Sequence, residues 1–340
     1  MRIRYSIFCI LVSLIFVRCI NYKPYSKGDW NEIIVIADAP DWEIVASTLR
    51  EIFEKSIRTP QSEKIFSIQH LLPSVFSQFK TQKNLIVLSS LQSEGSGSQM
   101  VRQMVSPDAR RGVESGDYYV FIRKNELARD QMFMLLISNT PEELKNKLVE
   151  NREFLFSTFY RWMAENTEQT MYEKGEQKEL EHRLSENYGW SVRIQRSYVV
   201  SVEDTVNNFV WLRQFDPDRF FVVHWFSSKD GSELKEDWVI ERRNWMGKTF
   251  LDSMSVEQMF LQVKPAEFNG RYAIHVQGLW KIDYLKVGGP FQTWAFYDEQ
   301  SKRIYLVDIS VYSPGKDKMP HLQQLIIMAQ TFKTDLPQKK

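Results

Sequence analysis

Apolar residues along this chain come in two rhythms, and the rhythm changes near its middle. The first half carries short, nearly continuous apolar runs: NEIIVIAD, KIFSIQHL, NLIVLSSL, DYYVFIRK and QMFMLLIS. Each is strand length and bounded by polar or turn residues, so each predicts a β-strand. Behind the first, Asp41 caps a helix in which Trp42, Val45, Leu49, Ile52 and Phe53 recur at helical spacing. The stretch QSEGSGSQ reads as a flexible linker, because it lacks the lysine that a phosphate-binding loop requires.

Thr140, Pro141, Glu142 and Glu143 form a helix start: a capping hydroxyl, proline in the first turn, and acids at the positive end of the dipole. Leu144, Leu148, Leu155, Phe159 and Trp162 keep helical spacing beyond it, and a charged segment follows to Glu186. Gly175 within that segment costs a helix only about 1 kcal/mol. One bent helix and two in tandem both fit, with the charged middle joining two domains.

In the second half the runs alternate. SVRIQRSYVV, FVWLRQFDPDRFFVVHWFSS, RYAIHVQGLWKI and TWAFYDEQSKRIYLVDISVYS read as strands and hairpins, with helical stretches at 173–187, 235–251 and 319–332. A helix followed by three strands thus occurs twice, Trp211 matching Trp294, which either a duplication or generic hairpin chemistry would produce. The fold class predicted is α+β in two domains, the second a mainly antiparallel sheet with its helices on one face. The boundaries predicted are 29–165 and 188–335, with 166–187 as helical connection.

Alternation assigns faces. Tyr305, Val307, Ile309 and Val311 should meet the helices, leaving Asp308 and Ser310 opposite, and the neighbouring strands leave Arg193, Gln195, His275 and Gln277. With His224, these would form a polar, ligand-facing groove or a wet outer face. His224, His275 and Asp308 are also the set from which a hydrolase would have to build its site.

Composition narrows the function classes. Lys plus Arg number 44 against 43 for Asp plus Glu, which leaves no electrostatic footprint for nucleic acid. No G-x-S-x-G, H-E-x-x-H, G-x-G-x-x-G or calcium-loop pattern occurs, and the five histidines are scattered, so no cofactor or metal is expected. Aromatic residues make up 14%, fitting either a core built on them or a binding surface.

The chain opens MRIRYSIFCILVSLIFVRC: Arg2 and Arg4, an apolar run too short for a comfortable span, then Cys19. That order predicts an export signal over 1–18, lipidation of Cys19, and a polar tether over 19–28. Arg18 departs from the small residue usual before a lipidated cysteine, so a short uncleaved anchor and a plain secreted protein stay open as second and third readings. Cys9 lies in the signal, so a mature chain starting at Cys19 has no second thiol for a disulfide.

Taken in order, TPQSEKIFSIQHL, KNLIVLSSL, the segment ENTEQTMYEKGEQKELEHRLSENYGWSVRIQRSYVV, GRYAIHVQGLWKI and FQTWAFYDEQSKRIYLVDISVYSPGKDKMPHLQQLIIMAQTF resemble an uncharacterised family of bacterial envelope lipoproteins of similar length. The resemblance spans the mature chain and brings no assigned chemistry. It implies a lipid-anchored protein of a diderm envelope, and the lack of acidic residues immediately after Cys19 favours an outer-membrane protein facing the periplasm over a surface-displayed one. The function expected is a non-catalytic binding or scaffolding module with an envelope protein or glycan as partner. An envelope hydrolase is the alternative.

Overall fold

A computed structural model of the chain describes residues 23–334. The expected signal and Cys19 lie outside these residues. The first unit runs β1 (Glu32–Ile36), α1 (Ala39–Phe53), a short hairpin of β2 (Ser56–Ile57) and β3 (Glu63–Lys64), β4 (Ser67–Leu71), α2 (Phe76–Phe79), β5 (Asn84–Ser90), α3 (Ser96–Met104), α4 (Pro107–Glu114), β6 (Val120–Lys124), β7 (Met132–Ser138), α5 (Pro141–Glu150) and α6 (Arg152–Tyr172). The second continues with α7 (Lys178–Tyr188), β8 (Trp190–Ser191), β9 (Val199–Asp204), β10 (Phe209–Gln214), β11 (Asp218–Ser227), α8 (Glu236–Phe250), β12 (Ser255–Phe268), β13 (Arg271–Ile282), β14 (Val287–Asp298), β15 (Arg303–Tyr312), α9 (Met319–Gln330) and β16 (Lys333–Thr334).

The first sheet has the order β4-β1-β5-β7-β6, with β6 alone antiparallel. Helices cover both its faces, which is why its central strands β1, β5 and β7 are apolar without alternation. Ile33, Val35, Ile86, Leu88, Met134 and Leu136 pack under α1, α5 and α6, while Ile34, Ile36, Leu85, Val87, Leu135 and Ile137 pack under α3 and α4. Thr140 caps α5 as its sequence predicts, its hydroxyl accepting from Glu143 N at 3.1 Å. The helical stretch that follows is three helices, not one or two. Asn151 separates α5 from α6, and Gly175 stands at φ +101°, a conformation that ends α6 where a side chain would be strained.

The second sheet is antiparallel, in the order β12-β13-β14-β15-β11-β10-β9. Two three-strand sets meet where β11 pairs β15, but Trp211 and Trp294 face opposite sides, so their match reflects hairpin chemistry and not equivalent places. The helices do not share one face. Helix α9 packs on Tyr305, Val307, Ile309 and Val311, and α8 packs on the other side, on Val222, Phe291, Ala295 and Leu306. The face expected to be wet is therefore roofed. Gly247 lets the turn after α8 fold back onto the helix, since a Cβ there would fall 2.0 Å from Met254 O. Strand β12 carried no clear strand signal: its pairing slips between Glu257 and Gln262, and Pro265 interrupts it, both suited to an edge.

The units are joined beyond their shared backbone. Glu63 Oε2 accepts from the amides of Lys318 and Met319, at 2.8 and 2.7 Å, at the start of α9. Tyr160 on α6 donates to Gln323 on α9 at 3.2 Å. The described part of the expected tether is also docked. Ser26 N donates to Arg129 O and Lys27 N to Thr81 O, each at 2.9 Å, so the segment lies along the first unit.

Candidate functional site

The polar set read from strand alternation is divided by the structure. His224 and Asp308 lie on the face roofed by α8, while His275 and Gln277 lie on the opposite face and Arg193 lies outside the sheet. His224 Nδ1 bonds Asn208 O at 3.0 Å, and burial lowers its pKa to about 4. Asp308, 1% exposed, accepts from Thr293 Oγ1 at 2.5 Å and from Arg243 Nε at 3.3 Å. Burial pushes the Asp308 carboxyl up, and the guanidinium opposes it. Arg193 holds Glu176 through two bonds of 3.1 and 2.9 Å and also reaches Glu168. Its hydrogen bond to Glu176 lowers that carboxyl to about 2. His275 thus lies across the sheet from His224 and Asp308, which bond to other partners, and the three do not converge on one site.

Sequence reading passed over Arg243. It falls in the charged run IERRN, yet Val239, Arg243, Met246 and Gly247 form the buried stripe of α8, so the helical spacing itself marks it as an inward residue. It also missed the crevice at the carboxyl ends of β1 and β5, where strand order reverses and open α/β sheets commonly take ligands. QSEGSGSQ is no free linker: it ends in α3 and closes this crevice. Asp38 accepts from Gly97 N at 2.8 Å, and buried Asp41 accepts from Ser90 N at 2.9 Å and from Ser93 Oγ at 2.5 Å. The chain's own carboxylates fill the place a bound anion would take.

The predicted residues that do come together lie at the seam between the units. A groove of about 530 Å³ is lined by Arg58 and Tyr160 from the first unit and by Lys264, His275, Gln277 and Gln292 from the second, among others. His275 stacks on Trp294 with centroids 4.9 Å apart, and its Nε2 bonds Gln292 Oε1 at 3.1 Å. Burial lowers the His275 pKa to about 4, so near neutrality it presents an uncharged ring. Gln277 donates to Gln262 at 2.7 Å. The lining holds paired amides, hydroxyls and two cations, and no carboxylate. Such a surface offers both donors and acceptors, with donors in excess through Arg58 and Lys264, and suits a polar ligand held by hydrogen bonds. Among the described residues no group of three or more His, Cys, Asp or Glu is placed to hold a metal, and no helix is long and apolar enough to cross a membrane.

Fold and seam define a two-unit α+β protein whose first unit is a mixed sheet between helix layers and whose second is a roofed antiparallel sheet. Residues 26–172 match Domain of unknown function (DUF8532), and residues 176–331 match Domain of unknown function (DUF4837), so two families of unknown function cover the chain. No curated protein matches it. Among solved structures, the Ran-binding protein Mog1p of Saccharomyces cerevisiae is similar at 13% identity over 44% of this chain and 93% of that chain, with a TM-score of 0.31. A Mog1 mutant gives 12%, 43%, 91% and 0.30 in the same terms. Likeness at this level carries no argument about function.

Proposed function

We propose that this protein is a lipid-anchored lipoprotein of the bacterial envelope that binds, without chemistry, an envelope glycan or polypeptide in the groove between its units. The supporting observation is the amide-rich lining around His275, which supplies hydrogen bonds and an aromatic wall and contains no carboxylate. Neutral His275 and the glutamines match hydroxyls and backbone amides, the polar groups of both ligand classes. The order of charged, apolar and cysteine residues over 1–19 supports the anchor.

Two experiments test this reading. A photo-crosslinking residue at Lys264, carried in native membranes, should yield one discrete adduct, and Gln292→Leu should remove it by taking away the acceptor that orients His275. No adduct, or one indifferent to Gln292, would overturn the binding reading. Cys19→Ala should lose labelling by a fatty-acid probe; labelling that persists would overturn the anchor.

A further inference from the structure

The second unit buries two arginines, and they differ in one respect. Arg243 has Asp308 beside it. Arg219, on β11 and 7% exposed, has no carboxylate within ion-pair distance among the described residues. Its Nη1 donates to Gln324 Oε1 on α9, while its Nε has no partner. Burial of an unpaired cation is costly, and desolvation accordingly drives the Arg219 pKa down.

Arg219 opens onto a second seam cavity of about 530 Å³, set apart from the His275 groove. Trp30 of the first unit forms part of its wall. Lys174, Arg196 and Arg219 bring three cations to the lining, and no acidic residue joins them. Gln195 also lines it, 8% exposed, and its Nε2 donor too is without a partner. Two buried donors thus lack acceptors beside this cavity, and one buried acceptor, Gln214 Oε1, lacks a donor. Three cations with no carboxylate among them are complemented by an occupant that brings negative charge and oxygen acceptors.

We propose that Arg219 and Gln195 form the floor of an anion site that takes the carboxylate or phosphate group of a small molecule, with Lys174 and Arg196 at its rim. This goes beyond the groove reading and does not depend on it. Arg219 supplies a planar guanidinium edge, which suits an anion with two oxygens in one plane.

The test is titration of the full chain with inorganic phosphate and with acetate, at ionic strength held constant with chloride, following the Arg219 Nε–H resonance and the melting temperature. Both readouts should move and saturate for at least one anion, and the anion saturating at the lower concentration identifies the group. Arg219→Lys keeps the charge without the planar fork and should weaken binding about tenfold or more. Arg219→Met should abolish saturation. If that variant does not fold, Gln195→Ala replaces it and should raise the saturating concentration. No saturable response to either anion in the unmodified chain, or a response that survives loss of Arg219, overturns the proposal.

Discussion

The two sheets of this molecule are both covered on both faces, yet they bury different things. In the first, β5 and β7 bury every residue, and the polar groups among them, Asn84, Ser89, Ser90 and Ser138, sit at strand ends. In the second, mid-strand positions hold His224, His275, Gln292, Thr293 and Asp308, and Arg219 is buried near the start of β11. The first sheet packs apolar side chains through its strand centres and keeps its buried polar bonds at the strand ends. The second carries charges whose desolvation must be offset inside the fold, so it is the unit more sensitive to loss of a polar partner and to acid.

The largest expected effect breaks the comparison at Asp308. Asp308→Ala leaves Arg243 buried and unpaired and should cost about 3–5 kcal/mol, whereas Arg243→Met combined with Asp308→Leu should come close to neutral. Chemical denaturation of the three proteins checks both. If the single and double variants were equally unstable, the pair would be packing and not electrostatics.

Acid comes next. His224 and His275 have pKa values lowered to about 4 by burial, against about 6.5 when unfolded. The unfolded chain therefore binds more protons, and the stability tied to neutral histidine is present above about pH 6.5 and lost as pH falls toward 4. Each contributes on the order of 3 kcal/mol across that window. Thermal melts from pH 7 to 4 should show the second unit failing first, and His224→Gln should flatten the slope.

Smaller effects sharpen the contrast. Ile86→Val in the first sheet removes one methylene and should cost about 1 kcal/mol, with no pH dependence between 7 and 4. Glu63→Gln keeps an acceptor at the start of α9 but removes its charge, and should cost about 0.5 kcal/mol. Its measurable signature is a loosening of the join, read as two separated urea transitions where the parent shows one.

How much of this was legible follows from the same contrast. Continuous apolar runs located β1, β5 and β7, because a sheet covered on both faces needs apolar side chains at every position. In the second sheet the faces were misread. Asp308 and Ser310 alternate with apolar neighbours as a wet face does, and only the inward position of Arg243 on α8 signals the roof. Strand β12 escaped because its slipped register and Pro265 break the period-two pattern. The seam groove and the Arg219 cavity join residues more than a hundred positions apart, and no local pattern encodes such a meeting.

Helix α9 has Pro320 in its first turn, but Lys318 at its N-cap offers no capping side chain. The missing acceptor is Glu63, 255 residues earlier, in a hairpin of the first unit. Synthesis proceeds from the N-terminus, and domains form as units while the chain emerges. The carboxylate that closes the start of the last helix belongs to the unit made first, so the second unit is completed only where it is docked on the first.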